Sequence, residues 1–195
     1  MPQTAFSIEK LRAAAGPGGF AKGQRYAVTF PKIPTGMSSA TVGKLPYLCE
    51  SVSIPTKSLA GVPHELYGPP REMAYRETFT EAVLSFIVDD AFTVRKFFDE
   101  WQTKIINPTT NNSNYYEDYV GTIKIMRLKN EAKSGAVTDS TYHVELVEAY
   151  PSLVGEILLG HAQGNEILRL SVTFKYRRWN ALQNPYSVDS NLAVN

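Results

Sequence analysis

The segment AFTVRKFFDEWQTKII, residues 91–106, places Val94, Phe97, Phe98, Trp101 and Ile105 at i, i+3, i+4, i+7 and i+11. Arg95, Lys96, Asp99, Glu100 and Lys104 occupy the other positions, so the spacing predicts one amphipathic helix with a single apolar stripe. Asp89 and Asp90 stand where carboxylates cap a helix start, and Asn107-Pro108 stops the helix. Elsewhere the patterned stretches read as strands. Residues 24–30 and 166–178 alternate apolar and polar, as half-buried strands do, and 47–53, 76–88, 119–129 and 141–150 read as further strands. In 166–178, Leu168, Leu170, Val172, Phe174 and Tyr176 share one face, and Arg169, Ser171, Thr173, Lys175 and Arg177 the other. Between the last two strands, Tyr150-Pro151 predicts a turn, residues 156–160 a short strand and residues 161–165 a tight connection.

Breakers set the rest. Residues 4–15 read as a short helix capped by Thr4 or Ser7, with Phe6, Ile8 and Leu11 as a weak apolar side. Gly16-Pro17-Gly18-Gly19 ends it, so residues 1–23 read as an arm that is mobile until something holds it, with a packed N-terminal helix as the alternative. Residues 31–46 predict a loop. Residues 55–74, with four prolines and two glycines, predict another, holding at most a short strand around His64–Tyr67. Residues 108–118 are a polar loop and 130–139 a charged turn. The order of three strands, a helix and three strands, without βαβ alternation, predicts a mainly β, α+β chain. It is a small antiparallel β-sandwich or open barrel with one flanking amphipathic helix.

Composition narrows the function more than the fold. The 195 residues suit one domain with appendages, and a net charge of +1 offers no basic field for nucleic acid. A single cysteine, Cys49, excludes an intrachain disulfide and fits a reducing compartment. No run reaches the roughly 18 apolar residues of a membrane span. The N-terminus, with Glu9 among its bases, does not read as a secretory signal.

The search for chemistry finds no catalytic set. His64, His143 and His161 lack metal-ligand spacing with one another or with Cys49. Gly16–Gly23 and Gly43-Lys44-Leu45 both fail the phosphate-loop pattern. Asp89-Asp90 and Glu117-Asp118 read as a helix cap and a solvated turn. The sequon Asn111-Asn112-Ser113 carries no weight without secretion. Tyr142, His143 and Glu145 are the nearest thing to a binding cluster, but Tyr142 points away from the other two. Neither enzymatic activity nor a cofactor or metal is expected. Long strands and long loops instead indicate surface for association with further copies.

Several short stretches, in order, resemble the tail tube proteins of contractile-tailed bacteriophages. They are Val88-Asp89-Asp90 with Arg95-Lys96-Phe97-Phe98-Asp99-Glu100-Trp101-Gln102, Glu148-Ala149-Tyr150-Pro151, Val154-Gly155-Glu156-Ile157, Asn165-Glu166-Ile167 and residues 170–179. The resemblance covers roughly residues 24–179, leaving an arm at 1–23 and a C-terminal tail at 180–195. It implies hexameric rings stacked into the inner tube of a contractile tail, the conduit for DNA ejection, on a fold shared with the type VI secretion tube. It also implies a virion location after assembly in the host cytoplasm. The implied partners are further copies, the tail sheath, baseplate and tail-terminator proteins, and in the lumen the tape measure protein and phage DNA bound without sequence specificity. No stable membrane association is implied. A baseplate tube-initiator paralogue of the same fold is the alternative, and a small-molecule-binding β-barrel the alternative of another class. Candidate ring or stacking residues are Phe20, Tyr115, Tyr116, Tyr119, Arg169, Lys175, Arg177 and Trp179. Arg169, Lys175 and Arg177 are expected to face ring neighbours or the sheath, because cations lining the channel would hold DNA.

Overall fold

The computed structural model describes residues 8–16, 18–64, 68–69, 71–130, 140–161 and 166–182. The expected charged turn beyond Asn130, the tight connection beyond His161, the helix caps Thr4 and Ser7 and the tail beyond Leu182 lie outside these residues.

Strand alternation is realised in seven antiparallel strands ordered β1 (Tyr26–Lys32), β6 (Gly121–Leu128), β7 (Ser140–Val154), β8 (Arg169–Lys175), β5 (Ala82–Ile87) and β2 (Cys49–Val52), with β9 (Arg178–Leu182) also on β7. β7 makes this two layers. Its first half lies between β6 and β9, with Val144 opposite Ile125 and Leu146 opposite Ile123 and Trp179. Its second half pairs with β8, Tyr150 opposite Lys175 and Val154 opposite Val172. The bend falls at Glu148, whose φ of 56° is left-handed, a costly geometry for a residue with a Cβ.

Between the layers the inward residues of every strand meet. Val28, Ile123, Val144 and Leu146 face Leu84, Phe86, Leu170, Val172 and Phe174 in one continuous core. The helix α3 (Thr93–Ile105) closes it, burying Val94, Phe97, Phe98 and Trp101, with Ile105 half-buried. Phe98 packs on Phe86 and edge-on to Phe174, with centroids 5.2 and 5.8 Å apart. The Trp101 indole donates to the Tyr119 carbonyl at 2.8 Å. Asp89 begins the helix by accepting the Thr93 amide at 2.7 Å as well as the Thr93 hydroxyl. Those donors hold its carboxyl below the usual range.

Several expectations need correction. The 31–46 loop contains a second helix, α2 (Ser39–Leu48), despite Gly43 and Pro46. Val42, Leu45 and Leu48 recur every three residues, and Leu45 is fully buried against the core, so packing overrides poor propensity. The 55–74 loop is instead largely the arms of a β-hairpin, β3 (Lys57–His64) and β4 (Arg71–Phe79). Pro63 is tolerated because a two-stranded sheet leaves each strand one free edge. The expected strand at 76–88 is two elements: the chain leaves β4 at Phe79 and enters β5 at Ala82. Tyr150-Pro151 is not a turn. β7 runs through it to Val154, because the bend is made earlier at Glu148 and this half of β7 has a partner on one side only. Residues 155–160 form no strand. The strand at 166–178 breaks at Tyr176-Arg177, opposite the β7 bend, and β9 carries the pairing past Trp179 to Leu182. A short helix, α4 (Tyr116–Tyr119), forms where only a polar loop and a strand start are expected, whereas α1 (Ile8–Ala15) lies within the expected 4–15 helix and buries no residue.

Candidate functional site

Packing accounts for most of the chemistry-bearing residues. Cys49 sits in the core, and burial pushes its thiol up to about 11, which removes the thiolate at neutral pH. His143 is buried on the face of β7 turned away from the core, and desolvation lowers its pKa. Its neighbour Glu145 pairs with Lys124 at 3.3 Å, while Tyr142 packs toward the core. His64 ends β3 and His161 lies in a loop, both exposed. Among the described residues no three His, Cys, Asp or Glu side chains gather as metal ligands. The interior expected of a small-molecule barrel is filled by Phe30, Phe86, Phe98, Trp101 and Phe174. Two clefts of about 400 and 410 Å³ are surface grooves, one under the β4–β5 junction and one between the edges of β1 and β2.

The remaining features are surfaces. Among the described residues, β1 and β2 end the sheet path, each with one paired neighbour. They approach where the Tyr26 hydroxyl reaches the Cys49 carbonyl at 3.0 Å and also the Glu50 carbonyl, but no ladder joins them. β9 likewise pairs on one side alone. Such edges are open templates for another strand.

The sequence-expected contact residues fall into separate places. Phe20 is exposed on the arm, its carbonyl accepting from Asn130 at 2.9 Å. Tyr115 is exposed, whereas Tyr116 and Tyr119 stack edge-on at 5.4 Å and Tyr119 meets Tyr150 at 5.7 Å. Trp179 is half-buried and packs edge-on against Phe79 at 6.5 Å. Tyr116, Tyr119 and Trp179 lie near the corner where β7 bends, whereas Phe20 sits by Asn130, away from it.

Arg169, Lys175 and Arg177 each meet a carboxylate from another strand or junction. Arg169 pairs with Glu50 at 2.6 Å, Lys175 with Glu81 at 3.5 Å and Arg177 with Glu148 at 2.9 Å. The Arg177 guanidinium and the Tyr116 hydroxyl hold the Glu148 carboxyl below its usual range, and Arg169 does the same for Glu50. Sequence reading named the cations but not their partners, because the acids lie 29 to 119 positions away. It also missed the β3–β4 hairpin, whose Leu59, Val62, Met73 and Tyr75 are exposed on strands that pair with each other alone. The sequence offers little signal for it: residues 57–62 do not alternate, a bulge interrupts the pattern of β4, and four prolines punctuate the stretch.

A family model described as phage tail tube protein matches residues 21–182. No curated protein matches the chain. In fold the chain is similar to a chain of the anti-feeding prophage baseplate, at 16% identity over 84% of this chain and 95% of that one, with a TM-score of 0.59. It is also similar to a chain of the sheath/tube terminator of the extracellular contractile injection system PVC, at 17% identity over 84% and 96%, TM-score 0.59. A chain of the PVC sheath-tube complex in the extended state matches at 16% identity over 92% and 100%, TM-score 0.57.

Proposed function

The chain belongs to the phage tail tube protein family, and from that membership we propose that it is a structural subunit whose copies close into six-membered rings that stack into the inner tube of a contractile tail. The observation that carries this reading is the family match across the whole two-layer β domain, from residue 21 to residue 182. The free edges of β1, β2 and β9 support it, since ring closure by strand pairing satisfies the groups a lone subunit exposes. Within the virion the tube passes DNA, and its outer surface meets the sheath. Its ends meet baseplate and tail-terminator proteins, and the tape measure protein occupies the lumen before ejection. Assembly takes place in the host cytoplasm. The role is mechanical and not catalytic.

Passage of DNA requires a wall without a net positive field. The pairing of Arg169, Lys175 and Arg177 with Glu50, Glu81 and Glu148 fits that requirement whichever way β8 faces.

Negative-stain microscopy of the purified chain across a concentration series tests the proposal. Rings and tubes with six-fold symmetry are expected. A chain that stays monomeric at every concentration and salt would refute it, and rings that never elongate would assign the chain to the initiator position at the baseplate.

A further inference from the structure

The β3–β4 hairpin has two chemically different faces. Its register sets Ala60 opposite Arg76, Val62 opposite Met73 and His64 opposite Arg71. A bulge on β4 brings these six residues to one side. The other side carries Glu72, folded over Gly61, and Glu77, paired with Lys57 at 2.6 Å. Arg71 and Arg76 are exposed and make no ion pair among the described residues. One hairpin face is therefore apolar and basic.

An apolar and acidic counterpart lies elsewhere on the same subunit. Glu156 and Glu166 line a cleft of about 270 Å³ together with Leu158 and Ile167, which are 73% and 59% exposed. Neither glutamate forms an ion pair among the described residues. Arg169 also lines the cleft and feels the charge of Glu166, but its guanidinium is paired with Glu50 at 2.6 Å, and Arg95 is paired with Asp99 at 3.0 Å, so the cleft keeps an excess of negative charge.

The two surfaces sit at opposite ends of one strand. The hairpin rejoins the body just before Ala82, which pairs with Phe174, whereas the acidic cleft follows Ile87, which pairs with Arg169. β5 thus separates them by roughly 20 Å at about 3.3 Å per residue, and the hairpin projects on the order of 25 Å from its root. A subunit does not satisfy its own hairpin with its own cleft at the far end of the sheet. We propose that the Arg71/Arg76 face of one subunit's hairpin docks onto the Glu156/Glu166 cleft of another subunit. This contact rests on the self-assembly reading and adds its polarity. Unlike surfaces at opposite ends make a heterologous, head-to-tail contact, which propagates along the strand axis instead of closing as a two-fold dimer. An isolated two-stranded hairpin is only marginally stable in water, so docking also orders it.

Mixing of charge-reversed variants tests this. R71E/R76E and E156K/E166K each place like charges across the contact, and each alone is expected to raise the concentration needed for tube growth by more than about ten-fold. Mixed in equal amounts, the two variants restore opposite charges at every contact, so growth returns with alternating composition. Unaltered melting temperatures identify the loss as one of assembly. Normal growth of either variant alone, or failure of the mixture while both remain folded, overturns the contact and leaves the tube reading intact. A wild-type chain that never assembles overturns both.

Discussion

The Arg177 guanidinium donates to the Glu148 carboxylate at 2.9 Å across the bend where both long strands change layers. Glu148 is the residue of β7 with left-handed φ, and the Arg177 amide donates to the Val147 carbonyl at 3.1 Å between β8 and β9. One ion pair and one backbone bond thus hold the corner that turns a sheet into two layers.

Acid should loosen that corner. The folded state keeps the Glu148 carboxyl below its ordinary range, chiefly through Arg177, so its contribution is complete above about pH 4.3 and disappears as pH falls through the depressed value. Thermal unfolding from pH 6 to pH 3 should show a smaller acid destabilisation for Glu148→Gln than for wild type. At pH 7 the substitution should cost less than about 1 kcal/mol, as for other partly exposed pairs. Equal acid sensitivity of the two proteins would remove Glu148 from the account.

Trp101→Ala should be far more damaging. The indole is fully buried, donates to the Tyr119 carbonyl at 2.8 Å and packs on Phe97 and Phe174. A loss of about 3–5 kcal/mol is expected by chemical denaturation, and one below about 1 kcal/mol would contradict this packing.

Gly121→Ala probes the same contact from beneath. A Cβ there would stand 2.6 Å from the Lys32 carbonyl and 3.0 Å from the Trp101 ring. The backbone contact leaves little room to yield, so a cost of about 1–3 kcal/mol is expected. An unchanged unfolding midpoint would mean that β1 and β6 separate freely at this point.

Cys49 should resist alkylation. Burial pushes its thiol up to about 11, so at pH 8 it is protonated as well as shielded. Native protein mixed with iodoacetamide should label far more slowly than protein in denaturant. Equal rates would show that the β2 edge opens readily.

Deleting residues 1–15 should leave the melting temperature unchanged, because α1 buries none of its side chains. The measurement is differential scanning calorimetry, and a fall of more than a few degrees would make the arm part of the core.

What was legible in the sequence is what period alone decides. The α3 stripe and the faces of β1, β6 and β8 follow from spacing because each buries one side. Failures occurred where tertiary contact outweighed local preference. Leu45 pulls α2 into the core past Gly43 and Pro46. The Glu148 bend has no sequence marker, since nothing in the residue type predicts a left-handed glutamate, whereas Pro151 carries a turn signal that β7 runs straight through. The ion partners of Arg169, Lys175 and Arg177 come from distant strands, so only the fold brings them together.

That pairing also shapes the field around β8. A bare guanidinium acts as a monopole, whose field falls with the square of distance. A cation joined to a carboxylate at 2.6–3.5 Å acts as a short dipole, whose field falls with the cube. Beyond the Debye length of about 8 Å at physiological ionic strength little of it survives. A polyanion sliding past such pairs meets a shallow, rapidly alternating potential with no deep wells to stop in.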